Sequence, residues 1–218
     1  MSDILAKFVT KRMTMKKYDN VLTSTALIPL WAKAVEAEEQ DPILRDPSAR
    51  SILDFFGYDL QLYDKRKQNP SQVGCCLRAR WIDERTSEFI EQHKPCQVIQ
   101  LGAGLDDRFR RLGNPAGVEH WYDLDLAEVT AMRRTVIPEV APTEILTMDL
   151  FSREWMRKMR ANGLPSLVIV EGVRMSDLPK ARRFSWWLRT LYRIPYFYRN
   201  FNQLLLRIRI APSIGSRK

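Results

Sequence analysis

Histidine and cysteine are scarce in this chain: 2 His and 3 Cys in 218 residues. Cys75 and Cys76 are adjacent and Cys96 stands alone, with neither a CxxC pair nor paired His/Cys spacing. That pattern excludes a disulfide framework and a structural zinc site, and no metal is expected. His93 and His120 lie far apart in sequence, so they read as surface or packed residues rather than catalysts. No apolar run approaches the roughly 18 residues a spanning helix needs. Met1–Lys17 carries Lys and Arg but no long apolar stretch after them, so it reads as neither signal peptide nor membrane span, and a cytoplasmic protein is expected. Repeats and low-complexity tracts are also missing.

What is present suffices for one domain with a sizeable core, or one domain with a small appendage: 45% hydrophobic residues and 6 Trp. A mean hydropathy of -0.33 fits a soluble protein. The charge is lopsided. Residues 1–150 hold 20 Lys/Arg against 23 Asp/Glu, whereas residues 151–218 hold 15 against 3, so the whole net charge of +9 comes from the last third. Such asymmetry can mark an anionic-lipid or nucleic-acid surface.

Leu27, Leu30, Trp31, Ala34 and Val35 recur at three- and four-residue spacing, which predicts an amphipathic helix with Pro29 in its first turn and Glu36, Glu38 and Glu39 towards its end. Asp46-Pro47 predicts a helix start, a capping side chain followed by proline at the first helical position. That helix runs through Ile52 and Phe55 and stops at Gly57. A third helix is expected from Val73 to about Gln92, with Leu77, Trp81 and Ile90 inward. The pattern then changes. Short apolar or alternating runs at Gln97–Leu101, Glu119–Leu124, Glu144–Met148 and Leu167–Val170 read as strands. Helical stretches at Arg108–Leu112, Leu126–Val136 and Ser152–Ala161 separate them. This alternation predicts βαβ units, a parallel sheet and right-handed connections. The expected fold is therefore α/β, with a helical N-terminal cap (1–93), a Rossmann-like core (94–178) and a basic, aromatic C-terminal helix and strand (179–218). In that last part Phe184–Ile194 reads as a helix broken at Pro195, and Leu204–Ile210 as an edge strand.

The central motif is Val98-Ile-Gln-Leu-Gly-Ala-Gly-Leu-Asp-Asp107, a buried strand ending in Gly102-Ala-Gly104 with a helix following at once. Glycine there permits a tight turn and close approach of backbone to a ligand. Alone, such a turn is equally compatible with a simple strand–helix connection. Two acidic termini add weight. Asp125 closes the second strand 23 residues beyond Gly102, near the spacing at which a carboxylate accepts hydrogen bonds from ribose hydroxyls. Asp149-Leu150 closes the third, where an adenine would lie. A dinucleotide loop wants a third glycine at position 107, but the chain has Asp106-Asp107. Two carboxylates at a helix start would repel a pyrophosphate, which argues against NAD. A cationic ligand such as S-adenosylmethionine, with its ammonium and sulfonium, suits acidic neighbours.

These motifs resemble a known family. Leu101-Gly-Ala-Gly-Leu-Asp-Asp-Arg108 followed by Arg111-Leu112 is similar to a signature of the leucine carboxyl methyltransferases, which include O-methyltransferases of polyketide pathways. Tyr122-Asp-Leu-Asp-Leu126 resembles the family's second strand, Asp149-Leu150 its adenine-side pair, and Val170-Glu-Gly-Val173 the end of its fourth strand. Thr25–Ala34, Asp41–Pro47 and Leu77–Asp83 resemble the leader segments of the polyketide branch. The resemblance runs from about residue 20 to 173. It implies a class I methyltransferase core with S-adenosylmethionine as cofactor. By it, Gly102 and Gly104 form the cofactor loop, Asp125 binds ribose, and Asp149 with Leu150 flanks adenine. Glu171 lines the pocket near the methionine moiety. Arg78, or Arg80 in the alternative register, holds the methionine carboxylate, and Lys33 reaches that carboxylate or the substrate's. Each has a plainer reading: Arg78 or Arg80 can pair with Asp83 or Glu84 on a helix face, and Glu171 can close a buried strand end.

The implied reaction is methyl transfer to an oxygen of a small molecule, a carboxylic acid or a phenol. A carboxylate is already nucleophilic at neutral pH and needs no base, so the lack of a catalytic His favours it over a phenol. Where the family continues past its fourth strand with further helices and strands, Arg174-Met-Ser-Asp-Leu178 is followed almost at once by a segment resembling the family's far C-terminal part. The intervening piece is missing by this comparison, which keeps a second reading open: a shortened, non-catalytic relative that binds the cofactor or has lost activity. The basic tail is then a surface that once faced acidic partners. A weak anionic-surface contact is the alternative, because Trp186, Trp187, Tyr192, Tyr196 and Tyr198 interleave with arginines. Nothing in the sequence sets an oligomeric state.

Overall fold

The computed structural model describes residues 24–57, 70–171, 197–200 and 203–208, with side chains over 29–57 and 72–171. The expected helix over Phe184–Ile194, its break at Pro195, and the aromatics Trp186, Trp187, Tyr192 and Tyr196 lie outside the described residues. The chain divides into two compact units.

One unit comprises Met1–Arg85, Gly104–Asn114 and Ala131–Pro138. Helices α1 (Ser24–Glu36), α2 (Ala49–Phe56) and the first part of α3 (Pro70–His93) supply most of it. Its core joins Leu30, Trp31, Ala34, Ile52, Leu53, Phe56, Cys76 and Ala79 with Leu105, Met132 and Ile137 from the two later segments. Expectations at two helix starts need correction. Pro29 sits in the second turn of α1, inside the helix rather than at its start. Asp46 caps as expected, its carboxylate accepting the Ser48 and Ala49 amides at 3.0 and 3.1 Å. Pro47, however, is not the first helical residue: the helix begins at Ala49, where the Ile52 amide first reaches back to the Ser48 carbonyl. The expected stop is present, with Gly57 left-handed at φ 76°. Phe56, fully buried, is inward, and Phe55 is outward at 44% exposure.

Along α3 the buried positions are Cys75, Cys76, Ala79, Ile82, Asp83, Thr86, Phe89 and Ile90. Steps of three and four residues define that stripe, and Leu77, 51% exposed, falls off it rather than pointing inward. Ile90 is buried as expected, and Trp81 is half-buried.

The other unit comprises Thr86–Ala103, Pro115–Thr130 and Glu139–Lys218. It holds one sheet, in the order β3-β2-β1-β4-β6-β5. Strands β1 (Cys96–Leu101), β2 (Val118–Asp125), β3 (Thr143–Thr147) and β4 (Ser166–Glu171) are mutually parallel, as the βαβ alternation predicts. Between them in the chain run α4 (Arg108–Arg111), α5 (Ala127–Val136) and α6 (Glu154–Asn162). β1 and β4 are buried almost throughout, as expected of central parallel strands. Trp155, Met156 and Met159 on α6 pack against Ile99, Leu101, Tyr122, Leu124, Val168 and Val170. Each such buried side chain is worth roughly 1.5–3 kcal/mol relative to exposure.

β6 (Gln203–Ile208) pairs antiparallel with β4, and β5 (Phe197–Asn200) pairs antiparallel with β6. The segment expected as an edge strand is therefore internal, because Phe197–Asn200 occupies the outer position.

Candidate functional site

Chain order reverses between β1 and β4, the switch point of the sheet. In open parallel sheets ligands bind there, outside the carboxyl ends of the strands. The register sets which residues share that edge. Leu101 pairs with both Leu124 and Val170, so Gly102, Asp125 and Glu171 each stand one residue beyond that common level. Asp125 pairs with Thr147, and Asp149 follows two residues later. The second unit thus brings Gly102, Asp125, Asp149 and Glu171 to one edge of one sheet.

Local bonds shape each terminus. The Gly102 and Ala103 amides both donate to the Leu124 carbonyl, at 2.8 and 3.1 Å. Gly102 is left-handed at φ 68° and Gly104 at φ 55°, conformations that cost a residue with a Cβ roughly 1–2 kcal/mol. A Cβ built on Gly104 meets nothing within 4 Å; its side of the backbone is open. Asp125 accepts its neighbour's amide, Leu126 N–H to Oδ1, at 2.8 Å, and is half-buried. Asp123, two residues earlier, is 4% exposed and accepts the Trp121 indole N–H at 3.1 Å. Asp149 is exposed and accepts the Phe151 amide at 2.9 Å, and the Leu150 carbonyl accepts the Trp155 indole N–H at 2.9 Å. These bonds fix the turn after β3. Glu171 is half-buried at the end of β4.

The first unit holds the other expected residues. Arg78 is half-buried on α3, with a guanidinium nitrogen 3.9 Å from the Cys75 sulfur. Arg80 is exposed and pairs with Glu84 at 3.0 Å, one turn along the helix. Two residues apart on a helix, the arginines project from different faces. Lys33, 3% exposed, forms an ion pair with Asp106.

That pair belongs to a buried network that the sequence analysis did not assemble. Asp106 also takes Arg111 at 2.6 Å and Arg108 at 3.3 Å. Asp83 takes Arg108 and Arg111, each at 2.7 Å, and Asp46 takes Arg111 at 2.8 Å. Three carboxylates meet three cations. Burial pushes the Asp106 pKa upward, but Arg111, Lys33 and Arg108 outweigh it and hold the carboxyl well below its usual range. Burial alone would make the Arg111 cation less stable, yet Asp106 and Asp83 reverse this and raise its pKa further. Asp107 accepts Ser48 Oγ at 2.7 Å and Arg110 at 3.2 Å. The repulsion that Asp106-Asp107 was expected to exert on a pyrophosphate is thus largely cancelled inside the protein. The missing third glycine remains as the local argument against a dinucleotide.

The two histidines are packed: His93 stacks on Phe89 with centroids 4.6 Å apart, and His120 on Tyr122 at 5.7 Å. Among the described residues no group of three His, Cys, Asp or Glu could hold a metal ion, and no helix is long and apolar enough to cross a membrane.

Comparison with known proteins adds chemistry to this geometry. The leucine carboxyl methyltransferase family matches residues 26–176. The tetracenomycin polyketide synthesis O-methyltransferase TcmP of Streptomyces glaucescens is 30% identical over 149 residues, covering 68% of this chain and 54% of that protein. The S-adenosyl-L-methionine-dependent methyltransferase dpfgK of Gibberella zeae is 28% identical over 160 residues, with the same shares of 68% and 54%. The chain spans about half the length of these curated relatives.

Proposed function

Because the chain belongs to the leucine carboxyl methyltransferase family, we propose that it binds S-adenosylmethionine at the carboxyl edge of its parallel strands and methylates an oxygen of a small molecule, a carboxylate first. The observation that carries this reading is the alignment of Gly102, Asp125 and Glu171 at one level of the sheet, with Asp149 just beyond.

The residues suit that cofactor in two ways. The open side of Gly104 leaves room for a ligand against the backbone. Three carboxylates at the strand ends favour a ligand bearing an ammonium and a sulfonium. When bound, the cofactor supplies an electrophilic methyl group. Asp125 accepts the ribose hydroxyls, Asp149 and Leu150 flank the adenine, and Glu171 faces the methionine end. Arg78 is the candidate for the methionine carboxylate, since Arg80 is taken up by Glu84. Lys33 serves that carboxylate or the substrate's only if its bond to Asp106 is shared.

A carboxylate acceptor needs no proton removed, so the chain's part is to position and desolvate it. Good orientation alone can supply on the order of 7–11 kcal/mol. The test is transfer of labelled methyl to a panel of carboxylic acids and phenols, with Asp125→Ala and Arg78→Ala alongside. Transfer to carboxylic acids, lost in both variants, is expected. Transfer unchanged in both would show the site to be elsewhere.

A second reading, cofactor binding without transfer, is favoured by the antiparallel β6 lying directly beside β4. In that case titration shows binding while no acceptor in the panel is methylated.

A further inference from the structure

We propose that Arg133 is a positioning residue for the glycine turn, holding residues 104–106 in the curvature that receives the cofactor. This rests on the reading above for what the turn receives, but the clamp itself is a property of the chain alone. Arg133 lies on α5 and is 2% exposed. One guanidinium nitrogen, Nη1, donates to the Gly104 carbonyl at 3.0 Å and to the Asp106 carbonyl at 2.9 Å. Two carbonyls separated by one residue are therefore tied to a single point. Gly104, left-handed at φ 55°, turns its carbonyl into this grip.

The choice of residue is informative. Burying a guanidinium costs far more than burying an apolar side chain of similar length. The neighbouring Met132, 1% exposed, fills core with none of that cost. A charge is tolerated at position 133 where it satisfies two backbone acceptors of the loop, which apolar packing cannot do. The side chain of Asp106 is held independently by Lys33, Arg108 and Arg111. Backbone and side chain of one loop residue are thus fixed by different partners. A turn held this way is ordered before any ligand arrives, and the ordering entropy is not charged to binding.

The test uses the full chain with Arg133→Met, which keeps length and removes the donors, and Arg133→Lys, which restores a cation. Hydrogen exchange without ligand reads the clamp. Amides of Leu105–Asp107 are expected to exchange at least about tenfold faster in R133M, with β1 and β4 unchanged and R133K intermediate. Titration with S-adenosylmethionine reads its consequence: affinity about tenfold or more weaker in R133M, partly recovered in R133K. If R133M does not fold, the comparison of R133K with the parent carries both readouts. Unchanged exchange at Leu105–Asp107 would overturn the inference, as would undiminished affinity in a chain whose parent binds. A parent that does not bind S-adenosylmethionine, yet shows the exchange difference, would sink the cofactor reading and leave the clamp standing.

Discussion

Asp106 sits two residues past Gly104 and shares its carboxylate among three cations. Replacing it with Asn leaves Lys33 and Arg111, 3% and 2% exposed in their side chains, without their shared countercharge. We expect Asp106→Asn to cost about 3–5 kcal/mol in urea unfolding. Arg80→Ala, which breaks an exposed i,i+4 pair, should cost no more than about 0.5 kcal/mol. The sign of the pH effect follows from the lowered pKa of Asp106. Its contribution is present above the unfolded value of about 3.9 and is lost as pH falls through the folded one. Acid titration of stability should therefore be shallower in Asp106→Asn than in the parent below about pH 5. The thiols behave oppositely. Burial pushes Cys76 up to about 12, helped by Glu36, and Cys96 up to about 11. Both should resist a thiol reagent at pH 8 in the native protein and react on unfolding. Fast native labelling of either would contradict their burial.

At the scale of elements, strand ends were legible and side-chain partnerships were not. A β-strand declares its end by the apolar run stopping at Gly or Asp, and Leu101, Asp125 and Glu171 end their strands within one residue of expectation. Helix starts depend on which amide a cap reaches. Asp46 was recognisable as a cap and does accept the Ser48 and Ala49 amides, but the residue at which the backbone ladder starts, Ala49, is not marked by any side chain. Leu77 misled because α3 buries two cysteines, an alanine and an aspartate where larger apolar residues would mark the stripe. Most of the ion network was hard to read because its tertiary links are distant in sequence, 25 residues for Arg108–Asp83 and 73 for Lys33–Asp106. The near pair Asp106–Arg111 reads as an ordinary surface pair. One signal existed: Asp83 lies beside Ile82 and between Ala79 and Thr86 on a buried face, where a carboxylate demands a cation. The glycine turn yields a test at this scale. Since a Cβ on Gly104 finds open space, Gly104→Ala should cost only the backbone penalty of about 1–2 kcal/mol. A much larger loss in urea unfolding would mean that the turn is packed on both sides.

For the molecule as a whole, four parallel strands carry the candidate site and two antiparallel strands follow β4. The basic last third of the chain supplies β4, β5 and β6 of the sheet and the helix α6 before them, so part of it has a role in the fold that charge counting did not suggest. The family was readable because its motifs are strand-to-turn junctions, whose spacing the sheet itself imposes. The acceptor was not, since substrate walls are built from loops with no such constraint.

Acidic strand ends and a glycine turn that together receive a positively charged methyl donor are the core of the proposed function. Calorimetric titration of the purified chain with S-adenosylmethionine tests this most directly, with Asp125→Ala in parallel. Saturable binding, weakened about tenfold or more in the variant, is the predicted result. A cooperatively folded chain that takes up no S-adenosylmethionine, or binds it equally well without the Asp125 carboxylate, would contradict it.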